Sequence, residues 1–170
     1  VGKDLSALLR ALGCRVLAHD ILDFPDFYAE HGVEPVGLDA LLGESDVVTL
    51  HLPIDETTGN IISAERLALM KPDAILINAA RGGLVDETAL KAALKAGRLA
   101  GAAFDVFATE PPEDGELLKL PNFIVTPHIG GSAEEAILAM GRAAIDGLDD
   151  NRLPEKGVFP KGYGGYGAGD

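Results

Sequence analysis

The chain is poor in cysteine, short of basic residues and free of long apolar runs. Its 170 residues include one cysteine, Cys14. That excludes an internal disulfide framework and a Cys-rich zinc site, and it suits a reducing compartment, so a cytoplasmic location is expected. Lys and Arg number 14 against 27 Asp and Glu, a formal net charge of −13. The basic residues are scattered from Lys3 to Lys161 without forming a stripe. A phosphate backbone would be repelled on average, so no nucleic-acid partner is expected. Apolar runs such as Val47-Val48-Thr49-Leu50 and Ala74-Ile75-Leu76-Ile77 fall far short of the roughly 18 residues of a membrane span, and no membrane partner is expected. The histidines His19, His31, His51 and His128 never meet the i, i+3 or i+4 spacing of helix-borne ligands, so no metal is expected. Position 1 is Val, and no basic stretch followed by an apolar one opens the sequence. The chain is therefore expected to start inside a domain.

With 47% hydrophobic and 24% charged residues, the composition is that of an ordinary globular domain. Short apolar runs alternate with helical patterns, the signature of βαβ units and a mostly parallel sheet. Leu5, Leu8, Leu9 and Leu12 recur at i, i+3, i+4 and i+7, predicting a helix over 3–12 closed by Gly13. Strands are expected at 14–19, weakly at 33–36, then at 46–52, 74–78, 100–106 and 122–126. Helices are expected near 38–42, from Ser63 to Met70, from Asp86 to Ala96, and from Ser132 to Asp149, where Ala136, Ile137, Met140, Ala144 and Leu148 hold one face. The acidic stretch 108–121 reads as a loop with a helical turn near 117–120. Residues 1–150 are expected to form one domain, and the Gly- and Tyr-rich 151–170 a tail unable to fold alone.

In an open parallel sheet, ligands meet the carboxyl ends of the strands. Five strand ends carry polar residues here: Asp20, His51 to Pro53, Asn78 to Arg81, Asp105, and Thr126 to His128. A carboxylate at Asp20 can accept hydrogen bonds from a nucleotide ribose. Ile21 and Leu22 follow it and supply no cation for a 2′-phosphate, which favours NAD over NADP. A solvated Asp ending a strand is the plain alternative. Arg81 lies between Ala79-Ala80 and Gly82-Gly83, small neighbours that leave a guanidinium room to meet a planar carboxylate, though a structural ion pair is the default for a lone Arg. His128 sits between a strand and a helix start, and an imidazole there suits proton transfer in carbonyl/alcohol redox chemistry. Glu110 could orient that ring and stabilise its charged form, although most loop glutamates are simply solvated.

Three ordered segments carry a resemblance. Asn78-Ala79-Ala80-Arg81-Gly82-Gly83-Leu84-Val85-Asp86, Ala103-Phe104-Asp105-Val106-Phe107-Ala108-Thr109-Glu110-Pro111 and Thr126-Pro127-His128-Ile129-Gly130-Gly131 resemble the signature segments of the D-isomer-specific 2-hydroxyacid dehydrogenases. His51-Leu52-Pro53 with Thr57-Thr58 downstream is similar to the family's loop after the fourth strand. The resemblance covers about residues 1–150. It implies a Rossmann-like doubly wound sheet, NAD as cofactor, and hydride transfer to or from C2 of a small D-2-hydroxy or 2-oxo acid. By position, Arg81 would bind the substrate carboxylate and polarise its carbonyl, His128 would be the general acid/base, and Glu110 would hold its tautomer. Asp105 would face the nicotinamide and Asp20 the adenosine ribose. Thr58 and the backbone of Leu52-Pro53, Ala79-Ala80 and Gly130-Gly131 would line the rest of the dinucleotide. A homodimer through this domain is also implied.

The departure from the family pattern is at the front. Val1-Gly2 looks like the end of the G-x-G-x-x-G fingerprint, with only its third glycine present. A preceding strand and two phosphate-facing glycines are expected elsewhere, as is most of the substrate domain. The expectation is a part of a dehydrogenase, not competent alone, with a gap between the strands at 14–19 and 46–52. A non-catalytic NAD-binding module is the alternative, and the presence of Arg81, Glu110 and His128 together speaks against it.

Overall fold

Parallel strand pairing organises the computed structural model, which describes residues 1–149. These fall into two units, Val1–Gly130 and the chain from Gly131 onward. The tail expected at 151–170 lies outside the described residues.

The first unit opens with α1 (Gly2–Ala11), β1 (Leu17–Ala18), α2 (Pro25–His31) and β2 (Glu34–Pro35). β1 and β2 form a two-stranded parallel sheet, with Leu17 opposite Glu34. A small apolar cluster of Val16, Tyr28 and Val33 lies beside it. The ladder is shorter than the strands expected at 14–19 and 33–36, because each strand finds one neighbour only among the described residues. Helix α2 was not anticipated from periodicity. Its boundaries are nonetheless written in Pro25 at the first turn and Gly32 in the left-handed region at φ +63°.

Next come α3 (Leu38–Glu44), β3 (Val47–Leu50), α4 (Ala64–Leu67), β4 (Ile75–Asn78), α5 (Glu87–Lys95), β5 (Gly101–Phe104), a 3₁₀ turn at Leu117–Lys119, and β6 (Phe123–Val125). The four strands form one parallel sheet in the order β3-β4-β5-β6. Leu50 pairs with Asn78, Asn78 with Phe104, and Phe104 with Val125. On its other side β3 has no strand among the described residues. Helix α4 stops short of the expected Met70. After Leu67 the chain makes i to i+3 bonds from Leu69 and Met70, and Pro72 disfavours a helical residue before it.

The core lies between this sheet and its helices, where Leu42 of α3, Leu67 of α4 and Leu90 of α5 meet Leu76 and Phe104. Phe104, Phe107 and Phe123 form an aromatic cluster with ring centroids 5.4 to 6.1 Å apart. Helix α5 begins where the Asp86 side chain accepts a hydrogen bond from the Ala89 N–H at 2.9 Å, and it ends before Gly97 at φ +65°. The second unit holds α6 (Glu134–Asp149).

The α5 anchor is testable by chemical denaturation. Leu90→Ala, at a fully buried position, should cost ~2–5 kcal/mol, and Asp86→Ala about 1 kcal/mol.

Candidate functional site

Strands β4, β5 and β6 end on one edge, and each hands the chain to a loop bearing a polar side chain. After β4, the buried Asn78 shapes the turn. Its Nδ2 donates to the Arg81 carbonyl at 2.9 Å and its Oδ1 accepts from the Ala80 N–H at 3.2 Å. Arg81 itself is exposed. Its Nη1 donates to the Ala80 carbonyl at 2.6 Å, and it pairs with no carboxylate among the described residues. Gly82 is required by contact: a Cβ there would lie 1.8 Å from the Phe107 carbonyl oxygen. The Arg81 loop therefore packs backbone to backbone on the loop after β5.

After β5, Asp105 is buried and its carboxylate is wholly engaged by the loop after β6. Oδ1 accepts from the Ile129 N–H at 2.9 Å and from the Thr126 hydroxyl, and Oδ2 accepts from the Gly130 N–H at 2.8 Å. Burial alone would raise the Asp105 pKa. The three hydrogen bonds and the nearby His128 outweigh it and hold the carboxyl below its usual range. These bonds also support an unusual backbone, because His128 has φ +53°, a region that side chains other than Gly rarely adopt.

His128 Nδ1 lies 2.7 Å from Glu110 Oε2. An ionised carboxylate can only accept, so Nδ1 is the donor in this contact, and in the neutral ring Nε2 presents the lone pair. Nε2 has no hydrogen-bond partner among the described residues. The other Glu110 oxygen accepts from the Phe107 N–H at 3.0 Å. The His128 ring and then this N–H hold the Glu110 carboxyl below the usual glutamate range, against the raising effects of burial and Asp105. Both side chains stay partly exposed, 51% for His128 and 37% for Glu110, so a ligand can reach them.

The remaining sequence-predicted residues lie at the ends of β1 and β3. Asp20 is exposed and its Oδ1 accepts from the Leu22 N–H at 2.9 Å, leaving Oδ2 open. Gly2, at the start of α1, lies against His51, whose Cβ would be 3.4 Å from a Cβ on the glycine. Val1 beside it is exposed. Burial pushes the His51 pKa down. Leu52 packs against the main core, while Thr58 Oγ1 donates to the Pro53 carbonyl at 2.9 Å and accepts from the Asp55 N–H at 2.8 Å. Thr58 thus braces the 53–58 loop. Gly130 meets Asp105, as above, and Gly131 belongs to the second unit. The structure brings Asp105, Glu110 and His128 into one hydrogen-bonded group, with the Arg81 loop packed on Phe107. Asp20, Leu52, Pro53 and Thr58 are not bonded to that group.

Two features lay beyond sequence reasoning. Asp105 was expected to face a ligand, and its carboxylate also fastens the His128 loop. Glu87, in the first turn of α5, accepts from the Ala108 N–H at 2.8 Å. The small residues at 82 and 83 were the visible sign of the close approach at Phe107. Among the described residues no group of three His, Cys, Asp or Glu side chains forms a metal site, and no helix is long and apolar enough to cross a membrane.

A parallel α/β domain with a His–carboxylate pair at its strand ends, and an open aspartate ending β1, defines the class of dinucleotide-dependent oxidoreductase domains. The family model for "D-isomer specific 2-hydroxyacid dehydrogenase, NAD binding domain" matches residues 1–130, and the chain belongs to that family. It is 47% identical over 152 residues to glycerate dehydrogenase of Methylorubrum extorquens, covering 88% of this chain and 46% of that protein. It is 42% identical over 159 residues to D-3-phosphoglycerate dehydrogenase of Mycobacterium leprae, covering 94% and 30%. Among solved structures, the NAD-complexed D-isomer specific 2-hydroxyacid dehydrogenase of Lactobacillus delbrueckii ssp. bulgaricus superimposes with a TM-score of 0.80 at 33% identity, over 91% of this chain and 52% of that one. D-lactate dehydrogenase of Aquifex aeolicus, complexed with NAD and lactic acid, gives 0.78 at 32% identity, over 87% and 49%. The chain spans about half the length, or less, of these relatives. The fold is Rossmann-like and the domain is an NAD-binding one.

The residues present fit that cofactor. Asp20 keeps one carboxylate oxygen open for a ribose hydroxyl, no cation at 21 or 22 invites a further phosphate, and Gly2 leaves the start of α1 without a side chain.

Two outcomes test this geometry. Gly82→Ala should destabilise the domain by about 1–3 kcal/mol or more through forced separation of two backbones, read as a lowered denaturation midpoint. Because the folded Glu110 pKa is lowered, its contact with His128 stabilises the fold fully above the unfolded glutamate value of about 4.3. That contribution is lost as pH falls through the lower folded value. A His128→Phe variant should therefore show a weaker acid dependence of its thermal midpoint than the wild-type chain.

Proposed function

We propose that this chain is the NAD-binding part of a dehydrogenase acting at C2 of a small D-2-hydroxy acid or 2-oxo acid. The observation that carries the reading is the 2.7 Å contact of His128 Nδ1 with Glu110 at the strand ends. It leaves Nε2 as the one ring nitrogen able to exchange a proton with substrate.

NAD, when bound, takes up or supplies the hydride at C2. His128 Nε2 removes the hydroxyl proton during oxidation and returns it to the carbonyl oxygen during reduction. Glu110 keeps the other nitrogen protonated and stabilises the imidazolium formed when Nε2 takes the proton. Arg81, with no carboxylate partner among the described residues, binds the substrate carboxylate and draws electron density from the adjacent carbonyl. With a formal charge of −13 on the chain, this local cation must overcome an unfavourable field for an anionic substrate. Asp105 serves the nicotinamide end while holding the His128 loop. Asp20 takes the adenosine ribose, with Val1-Gly2, Leu52-Pro53, Thr58, Ala79-Ala80 and Gly130-Gly131 along the dinucleotide. We infer further that the protein works as a homodimer through this domain. The single exposed cysteine fits a cytoplasmic setting.

The test is a chimera in which this chain replaces the matching segment of the Methylorubrum glycerate dehydrogenase. NADH oxidation is followed with a panel of 2-oxo acids. Turnover is expected, and His128→Ala should lower kcat by ~10²–10⁴-fold. Equal rates for the two chimeras would remove His128 from the mechanism.

A further inference from the structure

Helix α5 carries Glu87, Lys91 and Lys95 at successive four-residue intervals, which places them on one face. All three grip the loop after β5. Glu87 Oε1 accepts from the Ala108 N–H at 2.8 Å. Lys91 Nζ lies 2.6 Å from Asp114 Oδ2, and Lys95 pairs with Glu116. Between these fastenings the loop arches over a cavity of about 170 Å³ lined by Glu87, Phe107, Ala108, Thr109, Asp114 and Leu117 among others. The buried Phe107 and Leu117 pack the two ends of this stretch into the core, and polar contacts hold the segment between them.

Glu110 sits on that arch, and the peptide joining Phe107 to Ala108 is its pivot. The Phe107 N–H, in the peptide just before it, donates to Glu110 Oε1. The Phe107 carbonyl lies against Gly82, next to Arg81, with no room for a Cβ. The Ala108 N–H is the one bond of this peptide that leads to α5. Gly82 limits approach from one side but cannot pull, whereas a hydrogen bond can hold.

We propose that Glu87 is a positioning residue, which holds the Phe107–Ala108 peptide and thereby sets the place of Glu110 against His128 and its spacing from Arg81. It touches neither substrate nor cofactor in this role. The catalytic weight of this placement rests on the assignment of His128 and Glu110 made above. The experiment therefore reads the pair directly, without turnover, so that failure here is separable from failure of the chimera.

Two variants that both suit a helix start divide the alternatives. Glu87→Gln keeps the reach and an accepting oxygen but loses the charge. Glu87→Asp keeps the charge but is one methylene too short. In the full chain, amide hydrogen exchange is measured at Ala108 and Phe107, and the Glu110 carboxyl is titrated by carbon NMR. The groups facing that carboxyl are His128 and Asp105. In Glu87→Asp both amides should exchange faster, and the Glu110 titration should move up toward the ordinary glutamate value of about 4.3. Glu87→Gln should restore all three readings toward wild type. The proposal is overturned if Phe107 exchange and the Glu110 titration in Glu87→Asp match wild type, or if Glu87→Gln disturbs them as much as Glu87→Asp. A role through charge at the helix start alone would instead leave Glu87→Asp like wild type and disturb Glu87→Gln.

Discussion

Four strands in parallel register end together, and the site depends on that alignment. Leu50, Asn78, Phe104 and Val125 stand in one row across β3, β4, β5 and β6. Asp105 follows its row position directly, and Arg81 and His128 each stand three residues beyond theirs. Pairing thus brings Asp105 and the short loops that bear Arg81 and His128 to one edge. The apolar residues below the row, such as Leu76 and Ala102, fix the register, because a slip of one residue would turn them to the opposite face.

Above that row, polar fastening adds to the apolar packing of Val106 and Phe107. Asp105 ties the β6 loop to the β5 strand end, Glu110 ties the same loop to the arch, and Gly82 lets the β4 loop lie directly on Phe107. Each loop is thus located by another loop. The arrangement explains why a buried carboxylate and a histidine in a left-handed conformation persist side by side. The hydrogen bonds that the Ile129 and Gly130 amides give Asp105 both depress its pKa and offset the backbone cost at His128.

Much of this was legible in the sequence. The order of helices and strands from α3 to β6 followed from apolar periodicity, and the family resemblance followed from three segments whose spacing the sheet later explained. The short β1 and β2 and the early end of α4 were less legible. Strand length depends on the number of neighbours, and helix length here on Pro72, more than on the residues of the element itself. Helix α2 was missed because its apolar residues Phe24, Phe27 and Tyr28 pack within a small local cluster and give no long periodic stripe. Glu110 was singled out by its place in a motif, and only the fold could reveal its contact with His128. Glu87 carried no signal of its bond to the Ala108 amide, since a glutamate in a first helical turn already has a sufficient local reason to be there.

The fastenings along α5 differ in kind, and this divides the arch into two parts. Its outer part is held by ion pairs of Lys91 and Lys95 with Asp114 and Glu116, in which Lys91 is partly buried and Lys95 and Glu116 are open to solvent. Dissolved salt screens such pairs over about 8 Å at physiological ionic strength. Its inner part is held by a hydrogen bond from a backbone amide, which salt screens far less. Raising the ionic strength should loosen the outer end of the arch before the stretch that carries Glu110.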